Sequence, residues 1–233
     1  MTKEADNGGV AAVDRAVAIL RAVACQSTPI TLANLARATG YYKSTLLRLL
    51  TSLERSALVV RRADGRYALG PYAHQLGRAY ETTYRVSAVL TPLLTELVER
   101  GSESASFHVY RDSEHRICLL RIDSHHSTLD RIDVGDLLPL EYGAAGRLIL
   151  RFRGTGLAPT ADNVLAVSLG ERDPDCAAVA AAVFSGDNEF RGAISLSGPK
   201  ERFTPGAIAH QSELVTEAAQ RATQMLGGHW PAR

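Results

Sequence analysis

The chain has 233 residues, is 45% hydrophobic and 22% charged, and carries a formal net charge of +1. That composition excludes a disordered, collagen-like or disulfide-stapled chain, and the three scattered cysteines, Cys25, Cys118 and Cys176, read as buried thiols in a reducing compartment. The charge is uneven: residues 1–70 carry ten Lys or Arg against five Asp or Glu, a net of +5, whereas residues 71–233 carry sixteen against twenty, a net of −4. A basic first third on an acidic remainder points to a polyanion-facing module joined to something else.

The opening MTKEADNGGVAAVD has no apolar signal core, and no apolar run approaches about 18 residues, which predicts a cytoplasmic chain without membrane contact. From Ala12 to Ala24, Val13, Ala16, Val17, Leu20 and Val23 recur at helical spacing. Pro29 breaks the pattern, Thr31 is placed to cap a second helix, LANLARAT, and Gly40 stops it. A third helix is predicted from Lys43 to about Ser56, and ALVVRRADGRYALG then reads as a β-hairpin turning at Asp64-Gly65. Two helices, a tight turn, a third helix and a hairpin in about 60 residues make a winged helix-turn-helix.

Beyond Leu69, Tyr72, Leu76, Tyr80 and Tyr84 fall four apart, the stripe of a connecting helix, and VSAVLTPLLTELVERG is an amphipathic helix ending at Gly101. The rest alternates strands and helices. SASFHVYRD places Ala105, Phe107 and Val109 opposite Ser106, His108 and Tyr110, and HRICLLRID follows as its hairpin partner. TLDRIDVGDLLPL reads as a strand bent at Gly135, Tyr142–Phe152 as a helix, and NVLAVSLG, CAAVAAAVF and FRGAISLSGP as strands before a closing helix from Pro205 to about Leu226. The fold class expected is therefore α+β.

In the third helix Leu46, Leu49, Leu50 and Leu53 form the buried stripe, and Ser44, Thr45, Arg48, Ser52 and Arg55 occupy the other face. Tyr41, Tyr42 and Lys43 stand at its entrance, and Glu54 is the only acid between residues 39 and 56. In a helix-turn-helix the start of this helix meets base edges, so short hydroxyls allow close approach and the free N–H groups suit a phosphate. Arg48 is placed for a bidentate contact to guanine, and Lys43 and Arg55 for the backbone. The hairpin adds Arg61, Arg62 and Arg66 as phosphate or minor-groove contacts. The predicted partner is double-stranded DNA.

A second candidate site lies late in the chain. Ser195 and Ser197 are two apart on a strand, so their hydroxyls share one face while Ile194 and Leu196 face a core. In YGAAGRL, Gly143, Ala144, Ala145 and Gly146 leave a helix N-terminus uncovered, and bare N–H groups there bind carboxylates or phosphates. Hydroxyls opposite such a terminus make a site for a small organic anion, with GERDPD as its rim.

On these residues the chain resembles the IclR family of bacterial transcription regulators over nearly its whole length. AVDRAVAIL is similar to the family's first helix, LARATGYYKSTLLRLLTSL to its recognition segment, RYALGP to the wing's exit, and AISLSGP followed by RFT to a late strand of its effector domain. The resemblance implies a winged helix-turn-helix over residues 1–70, a linker helix over 71–85, and a GAF-like effector-binding and oligomerisation domain over 86–233. It implies a small-molecule effector, homodimers or homotetramers and a near-palindromic operator. No cofactor, metal or catalytic residue is expected. Ser168 matches a family position for a further polar contact to the effector. Two features depart from the family: Glu141 and Arg147 stand where the family usually has histidine and lysine, and only residues 153–163 intervene before the next strand, which implies a reduced outer wall to the pocket.

Two other readings compete. An enzyme acting on a small acid would need a nucleophile–base pair, metal spacing or a phosphate loop, and the sequence offers none; His125 and His126, being adjacent on a strand, face opposite sides. A protein-interaction module would leave Lys43, Arg48 and the wing arginines without a purpose. Salt-dependent binding to duplex DNA separates the DNA-binding reading from these two.

Overall fold

The computed structural model describes residues 9–84, 86–125 and 132–231, apart from the side chains of 81–84 and 187. It divides into two compact units, Met1–Tyr84 and Arg85–Arg233.

The first unit contains α1 (Ala11–Ala24), α2 (Leu32–Thr39), α3 (Lys43–Arg55), β1 (Val59–Arg61), β2 (Tyr67–Leu69) and α4 (Pro71–Tyr84). The Thr31 hydroxyl accepts from the Asn34 N–H at 3.2 Å and starts α2, and Gly40, in the left-handed region at φ 71°, ends it. One core joins the three helices to the hairpin: Ile19 and Val23, Leu35, Leu46 with Leu50 and Leu53, and Val59 with Tyr67. Ile30 exchanges two 2.8 Å backbone hydrogen bonds with Tyr67, which ties the entry of α2 to the wing. On α4, Tyr72, Leu76 and Tyr80 are all exposed. The structure departs from the sequence reading at Cys25, which is exposed where α1 ends; Cys118 and Cys176 are buried.

The second unit contains α5 (Val86–Glu99), β3 (Ser104–Tyr110), β4 (His115–Asp123), β5 (Leu137–Pro139), α6 (Ala144–Phe152), β6 (Leu165–Leu169), β7 (Cys176–Phe184), β8 (Phe190–Pro199) and α7 (Pro205–Met225). Six antiparallel strands run in the order β5-β4-β3-β8-β7-β6. One face carries Phe107, Val179, Val183, Ile194 and Leu196, which pack on the leucines of α5 and on Leu214, Val215 and Ala219 of α7. The opposite face of β7 and β8 is small, with Ala180, Ala182 and Ala193, and α6 lies on it through Ala144, Ala145 and Leu148. Phe152, Phe184 and Phe190 close that interface with ring centroids 5.1–5.9 Å apart.

The segment read as a bent strand behaves differently. Residues 126–131 lie outside the described residues, and the strand is confined to Leu137–Pro139. The Asp136 carboxylate accepts from the Asp133 N–H at 2.8 Å and the Asp136 N–H donates to the Asp133 carbonyl at 3.1 Å, so residues 133–136 close a turn, while the Gly135 N–H donates to the Cys118 carbonyl and the Asp136 carbonyl accepts from the Cys118 N–H, at 2.8 and 3.1 Å.

Candidate functional site

Tyr42 is the N-cap residue of α3 and offers no side-chain cap, so the N–H groups of Lys43, Ser44 and Thr45 have no acceptor among the described residues. Tyr42 is 84% exposed, and Lys43, Ser44, Arg48 and Arg55 are exposed, while Thr45 is half-buried. Tyr41 is half-buried and packs on the core of the first unit, with its N–H 3.4 Å from the Thr39 hydroxyl. On the wing Arg61, Arg62 and Arg66 are exposed; the Arg61 guanidinium lies 6.0 Å from the Tyr67 ring centroid, and Arg66 Nε is 3.8 Å from an Asp64 carboxylate oxygen. Among the described residues Lys43, Arg48, Arg55 and Arg62 form no ion pair. Leu47, exposed beside Arg48, was missed by sequence reading. Its signal was numerical: four leucines fill the buried stripe and α3 has five.

In the second unit all six predicted effector residues, Gly143, Ala144, Ala145, Ser168, Ser195 and Ser197, border one cavity of about 30 Å³. The ladder explains the convergence: Ser195 pairs with Ser106 and Ala180, and Ser197 with Ser104 and Ala178, which in turn faces Ser168. Alternation then turns these serines to the α6 face and Ile194 and Leu196 to the α5–α7 face. Ser104 and Ser197 hydroxyls are 2.9 Å apart.

The start of α6 is less bare than its glycines and alanines imply. The Glu171 carboxylate accepts from the Gly143 N–H at 3.3 Å and pairs with Arg147, which also donates to the Val167 carbonyl. Arg147 therefore engages Glu171, and Glu141 is exposed. Arg116, only 4% exposed, donates to the carbonyls of Tyr142, at 2.8 Å, and Pro139. The N–H groups of Ala144, Ala145 and Gly146 have no acceptor among the described residues.

His108, Arg116, Arg172, Asp173 and Cys176 also line the cavity, and sequence reading did not assign them to it. His108 is 2% exposed; its Nε2 is 2.9 Å from the Ser106 hydroxyl, and its Nδ1 has no partner among the described residues. Burial pushes its pKa well below the ordinary imidazole range, and Arg116, Arg121 and Arg172 push it the same way, so the ring is neutral. The alternation of β3 did place His108 away from the Phe107 core. What was not legible was that β8, some 85 residues later, would lie beside it.

Comparison with known proteins agrees with this architecture. Residues 12–63 match the IclR helix-turn-helix domain and residues 155–224 the bacterial transcriptional regulator IclR C-terminal domain. The chain is 25% identical over 251 residues to the transcriptional repressor IclR of Escherichia coli, covering 95% of this chain and 92% of the repressor. It is 24% identical over 226 residues to the regulator KipR of Bacillus subtilis, covering 85% and 90%. Its fold is similar to that of an IclR transcriptional regulator from Silicibacter sp. TM1040, with TM-score 0.79, 21% identity and coverage of 94% and 98%. It is also similar to that of an IclR homolog from Microbacterium hydrocarbonoxydans crystallised with 4-hydroxybenzoate, with TM-score 0.77, 17% identity and coverage of 93% and 99%. With a helix-turn-helix domain and an IclR C-terminal domain each matched on its own residues, the chain belongs to the IclR family of DNA-binding bacterial transcription regulators, not to a family of enzymes.

Proposed function

We propose that this regulator reads double-stranded DNA with the start of α3 and the wing, and that a small organic acid in the cavity beneath α6 sets its affinity for that DNA. The observation that carries the first part is the uncapped, exposed start of α3 beside three exposed wing arginines. Ser44, Thr45 and Arg48 face base edges. Tyr42, Lys43, Arg55, Arg61, Arg62 and Arg66 hold phosphates, and Tyr41 anchors the turn through its packing on the core.

The effector half rests on Ser168, Ser195, Ser197 and the N–H groups at the start of α6, with Gly143, Ala144 and Ala145, which carry no more than a methyl group, lining the same cavity. The 4-hydroxybenzoate held by the Microbacterium homolog, itself an organic acid, supports this class of ligand. The working boundaries are residues 1–70 for DNA binding, 71–85 for the linker helix and 86–233 for effector binding and assembly. The exposed apolar residues Val10, Val13 and Val17 of the first helix region and Tyr72, Leu76 and Tyr80 of α4 suit a second copy of the chain. A homodimer, alone or paired into a tetramer, presents two readers to half-sites about 34 Å apart, so the operator is near-palindromic. Duplex DNA and metabolites meet in the cytoplasm, where the regulator acts.

Arg48→Ala tests the assignment. Fluorescence anisotropy should show operator affinity falling by roughly 5- to 150-fold, the equivalent of one bidentate base contact, with a much smaller loss on a scrambled duplex. Equal losses on both duplexes would remove the base-reading role of Arg48.

A further inference from the structure

One residue that lines the cavity carries a polar atom that the organic-acid reading leaves unused. His108 borders the cavity; its Nδ1 is buried and has no partner among the described residues, whereas Nε2 is engaged by Ser106. An orphaned buried nitrogen is costly, and the cost is removed when a ligand brings the missing hydrogen-bonding group.

The surroundings restrict what that group is. Arg116 and Arg172 border the same cavity, as does the positive end of α6, against one lining carboxylate, Asp173. Arg116 is held in place by the carbonyls of Pro139 and Tyr142, with its guanidinium beside Gly143 and Gly146. This end of the cavity suits an anion. The same charges disfavour a ligand ammonium near His108. The Ser106 hydroxyl lies 3.4 Å from the Ser195 carbonyl; when it donates there it accepts from Nε2–H, leaving Nδ1 as an acceptor. With the other tautomer Nδ1 is a donor. A hydroxyl serves either case, because it both donates and accepts.

We propose that the effector is a hydroxy acid, its acid group held by Arg116, Arg172 and the start of α6, and its hydroxyl by His108 Nδ1. The proposal rests on the organic-acid reading of the cavity and adds His108 as the residue that selects among acids. A site built to bond a hydroxyl rejects the analogue that lacks one far more strongly than an apolar pocket rejects a change of size.

The test uses the full chain and matched acids, lactate against propionate and 4-hydroxybenzoate against benzoate, by isothermal titration calorimetry. In at least one pair the hydroxy acid should bind about tenfold tighter or more, and His108→Leu should collapse the ratio toward one. Because that variant can lose structure, the wild-type protein is also read by ¹⁵N NMR: the His108 Nδ1 resonance should move with the hydroxy acid and not with its partner. Binding that weakens in Ser195→Ala/Ser197→Ala but shows no hydroxyl preference, or a preference that survives His108→Leu, overturns the hydroxy-acid proposal and leaves the organic-acid site standing. If no acid binds the wild-type chain, or binding ignores the two serines, both readings fall.

Discussion

At position 108 the chain buries an imidazole among Arg116, Arg121 and Arg172, and the native fold keeps it neutral. The unfolded chain has no such constraint and takes up a proton as pH falls below about 6.5, the ordinary imidazole value. The unfolded state then binds more protons than the native state, so this residue's stabilising contribution is complete above that pH and declines below it. The limiting slope is about 1.4 kcal/mol per pH unit. Thermal unfolding at pH 7 and pH 5 should therefore show His108→Leu losing less stability on acidification than the wild type; parallel losses would mean that the native ring is protonated. The candidate site was partly legible at this scale. Ser195 and Ser197 reveal themselves by a spacing of two, and Arg48 by its place one turn into a leucine-backed helix. The β3–β4 hairpin was readable, but His108 also pairs with Ala193 of β8 and Arg116 with Leu138 of β5, partners that no local window contains.

Among the elements, α6 shows how a glycine fixes a site. A Cβ on Gly146 would collide with the Leu140 carbonyl and lie 3.0 Å from Arg116 Nη1, so Gly146→Ala forces α6 away from both, and Arg116 lines the cavity. Urea unfolding should show a loss of about 1–3 kcal/mol. Gly77 of α4 has open space around it, so Gly77→Ala should be neutral or stabilising by roughly 0.5–1 kcal/mol. A harmless Gly146→Ala would show that α6 is not closely seated on Leu140. The winged helix was readable in order and nearly in extent because its signals are local: a cap at Thr31, a stop at Gly40, a leucine stripe and a short hairpin. The start of α6 was legible only in part: the N–H groups of Ala144, Ala145 and Gly146 are open as the small residues predict, whereas Glu171 and Arg116 come from other elements and occupy its flanks. Strand β5 was overextended because the alternation of Ile132 and Val134 continues into a turn that the carboxylate of Asp136 closes.

Across the whole molecule the basic first third and the acidic remainder correspond to two compact units with separate cores, one carrying the α3 and wing face and the other the cavity. An effector changes DNA affinity only by as much as it binds the DNA-competent and DNA-incompetent states differently, and that coupling is typically about 1–3 kcal/mol. The most direct test titrates operator duplex with the full chain, with and without a saturating hydroxy acid, for the wild type and for Ser195→Ala/Ser197→Ala. The account predicts that the acid shifts the wild-type operator midpoint by roughly 5- to 150-fold and leaves that of the double variant in place, with both proteins binding operator alike when no acid is present. An unmoved wild-type midpoint despite acid binding, or the same shift in the double variant, would contradict it.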